Sequence, residues 1–148
     1  ESTFISSTFW TERIGSVAGL ATLKVMEREN SWEKITATGE NITKEWIKLA
    51  EEFELPLETS GLAALTTFNV KSKNALAYKT LISQEMLKKG YLAATAVYSS
   101  TAHSSEIMNG YLEALKPIFA KIKECEEGKN VMELLEGPIA HSGFKRLN

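Results

Sequence analysis

The sequence predicts an α+β fold, a small, mostly antiparallel sheet covered by helices. Three observations predict it. Apolar residues recur at helical spacing in four long stretches, while the runs 57–70 and 91–98 are rich in Thr, Phe, Val and Tyr and read as extended. The order helix, helix, strand, strand, helix, strand, helix is that of a sheet with helices on one face. With 148 residues, 43% of them hydrophobic, the chain is long enough for one domain with a real core.

The first helix runs from Arg13 to about Glu29. Ile14, Val17, Ala18, Ala21 and Val25 make one stripe, and Leu20, Leu23 and Met26 widen it, so burial on more than one side is expected. Gly15, Ser16, Ala18, Gly19 and Ala21 leave room for a close neighbour, although Gly19 costs about 1 kcal/mol relative to Ala. Asn30 and Glu33 form an N-cap pair for a second helix, with the stripe Ile35, Ile42, Trp46, Leu49 and Phe53 and a stop at Leu55-Pro56. Residues 57–70 form a hairpin with its turn near Ser60-Gly61. Asn74 caps a third helix carrying Tyr78, Leu81, Ile82 and Met86, and Gly90 ends it.

Tyr91 to Tyr98 is a strand with two mainly apolar or small faces, which predicts cover on both. Ser104 or Ser105 opens the last long helix, striped by Ile107, Tyr111, Leu115, Ile118, Ile122 and Cys125. Pro117 predicts a kink within it. Gly128 closes it, and a short helical piece at 131–135 precedes the Gly137-Pro138 break.

Composition narrows the function. A net charge of -2 gives no electrostatic footprint for nucleic acid. One cysteine cannot form an intrachain disulfide, and no apolar run approaches the roughly 18 residues of a membrane span. With no signal-peptide core, a cytoplasmic location is expected. No phosphate loop, CxxC or GxGxxG is present.

The remaining candidates for chemistry are few. His103, within Ser-Ser-Thr-Ala-His-Ser-Ser, reads as a loop histidine beside a capping serine, the alternative being a Ser/His nucleophilic pair. His141 has no second ligand at metal spacing, and Cys125 lies on an apolar stripe. Glu51, Glu52 and Glu54, like Glu124, Glu126 and Glu127, read as solvated helix ends. The fourteen lysines fall mostly on polar helix faces, not in the desolvated setting a Schiff-base lysine needs. Ser6-Ser7-Thr8 and Thr11 precede the glycine- and alanine-rich first helix, where an N-terminus offers donors to an anion or simply takes a cap.

The run Thr8-Phe9-Trp10-Thr11-Glu12-Arg13, followed by Ile14 to Leu23 with its ending Ala18-Gly19-Leu20-Ala21-Thr22-Leu23, resembles a segment of class III aminotransferases. It resembles especially the glutamate-1-semialdehyde 2,1-aminomutase-like branch and its pattern T-[FL]-S-G-N-P-x-A-x-A-A-[AG]-L-A-T-L. Gly90-Tyr91-Leu92 and Ser100-Thr101-Ala102-His103-Ser104 follow in the family's order. The resemblance spans essentially the whole chain but only the C-terminal third of a complete enzyme. Trp10-Thr11-Glu12-Arg13 stands where the family has Ser-Gly-Asn-Pro, so only Thr8 carries over from that turn.

The resemblance implies the C-terminal small domain of a fold-type I enzyme that uses pyridoxal 5′-phosphate as a homodimer. Residues 1–12 would belong to the large domain or interface and 13–148 to the core and tail. Thr8 would donate to the cofactor phosphate. The Schiff-base lysine, the aspartate facing the pyridine nitrogen and the stacking aromatic all lie upstream in the family, so the chain alone is expected to be inactive. Its partners would be the missing large domain and a small amino-acid or carbonyl substrate. Arg146 is the candidate for a bidentate hold on a substrate carboxylate. The opening at Glu1 without Met reads as a cut edge, and exposed Phe4, Ile5, Phe9 and Trp10 would be covered by the large domain. The alternative is a self-standing, non-catalytic α+β binding module.

Overall fold

A computed structural model describes residues 12–141 and Gly143. The element order is α1 (Ile14–Glu29), α2 (Ser31–Glu52), β1 (Leu57–Leu62), β2 (Leu65–Val70), α3 (Ala75–Lys88), β3 (Ala96–Tyr98) and α4 (Ser105–Glu126), with a 3-10 turn at Val131–Glu133. The three strands form an antiparallel sheet in the order β1-β2-β3. The predicted α+β class is the observed one.

The sheet is covered on one face. Along β2, Thr66, Phe68 and Val70 are buried, while Leu65 and Asn69 are exposed, the alternation of a half-covered strand. Against the covered face pack Ile42, Trp46 and Leu49 of α2, Tyr78, Leu81, Ile82 and Met86 of α3, and Leu115, Ile118, Phe119 and Ile122 of α4. Phe68 lies at the centre, its ring 4.6 Å from that of Trp46 and 5.8 Å from that of Phe119. Each fully buried side chain of this size contributes about 1.5–3 kcal/mol.

The stripes predicted for α2, α3 and α4 supply this core, except that Ile107, in the first turn of α4, is 49% exposed. α1 departs from its prediction: none of its residues is buried, because no described element covers its apolar faces. Asn30 also acts differently. It lies in the left-handed conformation (φ 47°), ends α1 and starts α2, and makes no side-chain cap. Its amide oxygen is therefore not what sets the second helix. The αL kink between two helices does that.

The hairpin turn sits at Ala63-Ala64, not at Ser60-Gly61, since Leu62 pairs with Leu65. Gly61 is a strand residue with φ 97°, and a Cβ there would lie 2.3 Å from the Leu65 carbonyl oxygen. The glycine marks a crowded strand position rather than the turn. Gly39 has a related reason: a Cβ would meet the Ala63 carbonyl oxygen at 1.6 Å, so α2 and the hairpin tip touch backbone to backbone.

The predicted strand 91–98 shortens to 96–98, with Phe68 N–H donating to Thr95 O and Ser99 N–H to Ala64 O at its ends. Leu92 and Tyr98 are exposed, so the run is not covered on both faces. The side chain that serves the start of α3 is Ser72, whose Oγ accepts from Asn74 N–H at 3.1 Å, while Asn74 gives no cap of its own. Ser104 caps α4 by accepting from Ile107 N–H at 3.3 Å. Pro117 lies inside α4 without ending it, and Gly128, at φ 119°, follows its last residues.

Candidate functional site

Thr8 and Arg146, the two residues expected to touch cofactor and substrate, lie outside the described residues, as do the apolar residues 4, 5, 9 and 10. His103 lies in the turn between β3 and α4. Its Nδ1 accepts the backbone N–H of Ser100 at 3.1 Å, which leaves the proton of the neutral ring on Nε2. The neighbouring hydroxyls are committed elsewhere. Ser100 Oγ accepts from Ala102 N–H and Ser104 Oγ from Ile107 N–H. Among the described residues no serine hydroxyl bonds to His103, so the nucleophilic pair is not assembled.

Three of the described lysines are held in the opposite state to the one imine chemistry requires. A Schiff-base lysine is made reactive by desolvation, which lowers its pKa. Lys88 is instead held above its ordinary value by Glu136 and Glu85, Lys123 by Glu54, and Lys129 by Glu124. Lys116 pairs with Glu52 at 2.6 Å, Lys48 with Glu45 at 2.5 Å and Lys71 with Glu58 at 3.4 Å. These are solvated surface pairs.

Two buried or half-buried polar clusters join helices, and the second, through Ser72 and Glu126, also lines a cleft of about 730 Å³ with Lys73, Asn74 and Lys129. Burial pushes the Glu85 carboxyl up, but hydrogen bonds from Lys121, Lys88 and Gln84 outweigh it and hold it down at about 2. Gln84 also donates to Leu134 O and accepts from Glu136 N–H, at 2.9 and 2.8 Å. The segment after α4 is thereby strapped along α3. In the second cluster Tyr78 OH and Ser72 Oγ donate to Glu126 Oε1 at 2.5 and 2.7 Å, which holds that carboxyl below its usual value. Burial, followed by Glu126, raises the Tyr78 phenol.

Cys125 is buried, and burial pushes its thiol up, so it behaves as a small apolar residue. Among the described residues no cluster of His, Cys, Asp or Glu could hold a metal ion, and no helix is long and apolar enough to cross a membrane.

Two further clefts carry little convergent chemistry. One of about 280 Å³ is walled by Tyr91, Tyr98, Ile107 and Tyr111 beside His103. Sequence reasoning missed it because Tyr98 read as half of a covered strand. Another, of about 450 Å³, opens between Ala21, Val25 and Met26 of α1, Ile35 of α2 and the turn at Ser100-Thr101. The described residues thus form a scaffold with one uncovered helix, not a closed catalytic constellation.

No family model matches the chain. Over 129 residues, 82% of its length, it is 26% identical to a 3-aminobutyryl-CoA aminotransferase of Cloacimonas acidaminovorans (strain Evry). The chain is similar to part of an aminotransferase. It spans only 30% of that relative. The fold is also that of a solved structure, the PLP internal aldimine form of the FumI protein of Sphingopyxis sp. MTA144, with a TM-score of 0.73. That match covers 90% of this chain and 33% of the other, at 17% identity.

Proposed function

We propose that this chain is the C-terminal small domain of a pyridoxal-phosphate-dependent class III aminotransferase or aminomutase-like enzyme. The observation that carries the reading is the 129-residue similarity to an aminotransferase, aided by the run from Thr8 to Leu23. In such an enzyme the cofactor supplies the electron sink for moving an amino group.

The described residues do not fit that cofactor by themselves. They offer it neither a desolvated lysine nor a phosphate cradle, and their part is to build one wall of the substrate cleft. Thr8 would add a hydroxyl donor to the cofactor phosphate, and Arg146 a fork for a substrate carboxylate. The lysine comes from the large domain. A homodimeric assembly and a cytoplasmic location belong to the same proposal.

The test uses the 148-residue chain and the polypeptide encoded by the whole reading frame that contains it. With added pyridoxal phosphate, the whole polypeptide is expected to show imine absorbance and transamination, and the 148-residue chain neither. A stable imine on the 148-residue chain overturns the proposal. A reading frame without a catalytic domain leaves the self-standing binding module in its place.

A further inference from the structure

The segment after α4 runs back along α3 in regular steps. Gln84 Nε2 donates to Leu134 O at 2.9 Å, and Gln84 Oε1 accepts from Glu136 N–H at 2.8 Å. One turn earlier on α3, Thr80 Oγ1 accepts from Ala140 N–H at 3.0 Å. Lys88, one turn beyond Gln84, pairs with Glu136 at 2.6 Å. Residues four apart share a helix face, so Lys88, Gln84, Thr80 and Leu76 form one row. From Glu136 to Ala140 the chain travels that row towards the start of α3, passing four residues for one turn of the helix. At that pace residue 144 falls beside Leu76.

An open seat lies at that place. Leu76 of α3, Cys125 of α4, Val131 and Met132 of the 3-10 turn, and Ile139 line a cleft of about 730 Å³ with a polar rim at Lys73 and Lys129. Clefts of about 300–1,000 Å³ hold drug-sized ligands, so one aromatic side chain has ample room. Met132 is 49% exposed within it. Ile139 brings the chain to the edge of the cleft. Gly143, at φ 82° in the left-handed region, turns the backbone immediately before Phe144.

We infer that Phe144 seats in this cleft against Leu76, Met132 and Ile139, and so anchors residues 141–148 to α3 and the end of α4. Phe144 lies outside the described residues; the length and direction of the chain leading to it support the seat. Four residues from Ala140 span at most about 14 Å. A ring on so short a tether meets the cleft at an effective concentration of about millimolar, well above that of a ring on a second copy in dilute solution. The cleft is built from this domain alone, so the seat holds whether or not the reading under Proposed function does.

Nuclear magnetic resonance on the 148-residue chain tests it. With the methionine methyl groups labelled, the Phe144 ring is expected to show a nuclear Overhauser effect to the Met132 methyl, which Phe144→Leu removes. In a mixture of labelled and unlabelled chains the effect is expected within one chain. An effect only between chains overturns the seat, as does none at all. Cys125, the single cysteine of the chain, lies on the cleft wall and gives a second reading. Its thiol is expected to react with a disulfide reagent about tenfold faster in Phe144→Ala than in the parent, because access to a buried thiol follows opening of its cover. Phe144→Leu should restore the slow rate. Amide exchange at residues 42–50, buried at Ile42, Trp46, Leu49 and Ala50, is expected to be equal in the three chains and checks that the core is intact. Equal thiol rates in the parent and Phe144→Ala overturn the seat, since something other than Phe144 then covers the cleft.

Discussion

The indole N–H of Trp46 on α2 donates to the phenolic oxygen of Tyr111 on α4 at 2.9 Å, between two buried side chains. Burial pushes the Tyr111 phenol well above its ordinary value, and the indole donor partly offsets that. Tyr111→Phe keeps the ring but leaves the indole N–H without its acceptor. An orphaned buried donor costs about 1–3 kcal/mol. Urea unfolding of the variant is expected to show a loss in that range with an unchanged m-value, and an unchanged midpoint would show that the bond contributes nothing.

Gly39 is the point where α2 meets the hairpin tip. Gly39→Ala places a methyl group against the Ala63 carbonyl, where the available distance is 1.6 Å. The backbone must separate, and overpacking of this kind costs about 1–3 kcal/mol. Thermal unfolding is expected to fall for Gly39→Ala. The same substitution at Gly15 has open space around it and should leave the midpoint equal or higher.

Glu85 gives the domain a specific sensitivity to acid. Its carboxyl is lowered from 4.5 to about 2 in the folded chain by Lys121, Lys88 and Gln84, against the effect of burial. A depressed carboxylate stabilises fully above its unfolded pKa, and that contribution is lost as pH falls from about 4.5 towards about 2. Its size is about 2–3 kcal/mol at neutral pH. Glu85→Gln is expected to flatten the stability profile across that window, measured by denaturant unfolding at several pH values. A profile as steep as the parent's would assign the acid sensitivity to other carboxylates.

Thr8 carries the proposed contact with the cofactor phosphate. In the whole polypeptide, Thr8→Ala removes one donor to a charged oxygen, worth about 1.5–3 kcal/mol, so pyridoxal phosphate is expected to bind at least tenfold more weakly. Thr8→Ser keeps a hydroxyl and should restore most of the affinity. If Ala and Ser bind the cofactor as the parent does, the residue has no role there.

The sequence by itself determined the class of the fold and most of its core. The stripes of α2, α3 and α4 became buried faces because helical periodicity reports the chain's own chemistry, and three such faces can close on one another and on β2. It also indicated the aminotransferase-like segment, because identity along a run does not depend on packing. Tertiary structure decided what each apolar face meets. The stripe of α1 is as apolar as the others, yet it lies open in this domain, since periodicity records that a surface needs cover and not what covers it. Gly61 and Gly39 show the same division. Both glycines were visible, but their reason is a carbonyl oxygen brought close by the hairpin, at Leu65 and at Ala63. The strand at 91–98 shortened because only Ala96 to Tyr98 reach β2 in ladder register. Side-chain chemistry was legible as residue types. Whether His103 had a serine beside it, or a lysine lost its water, was settled only when the fold gave each its neighbours.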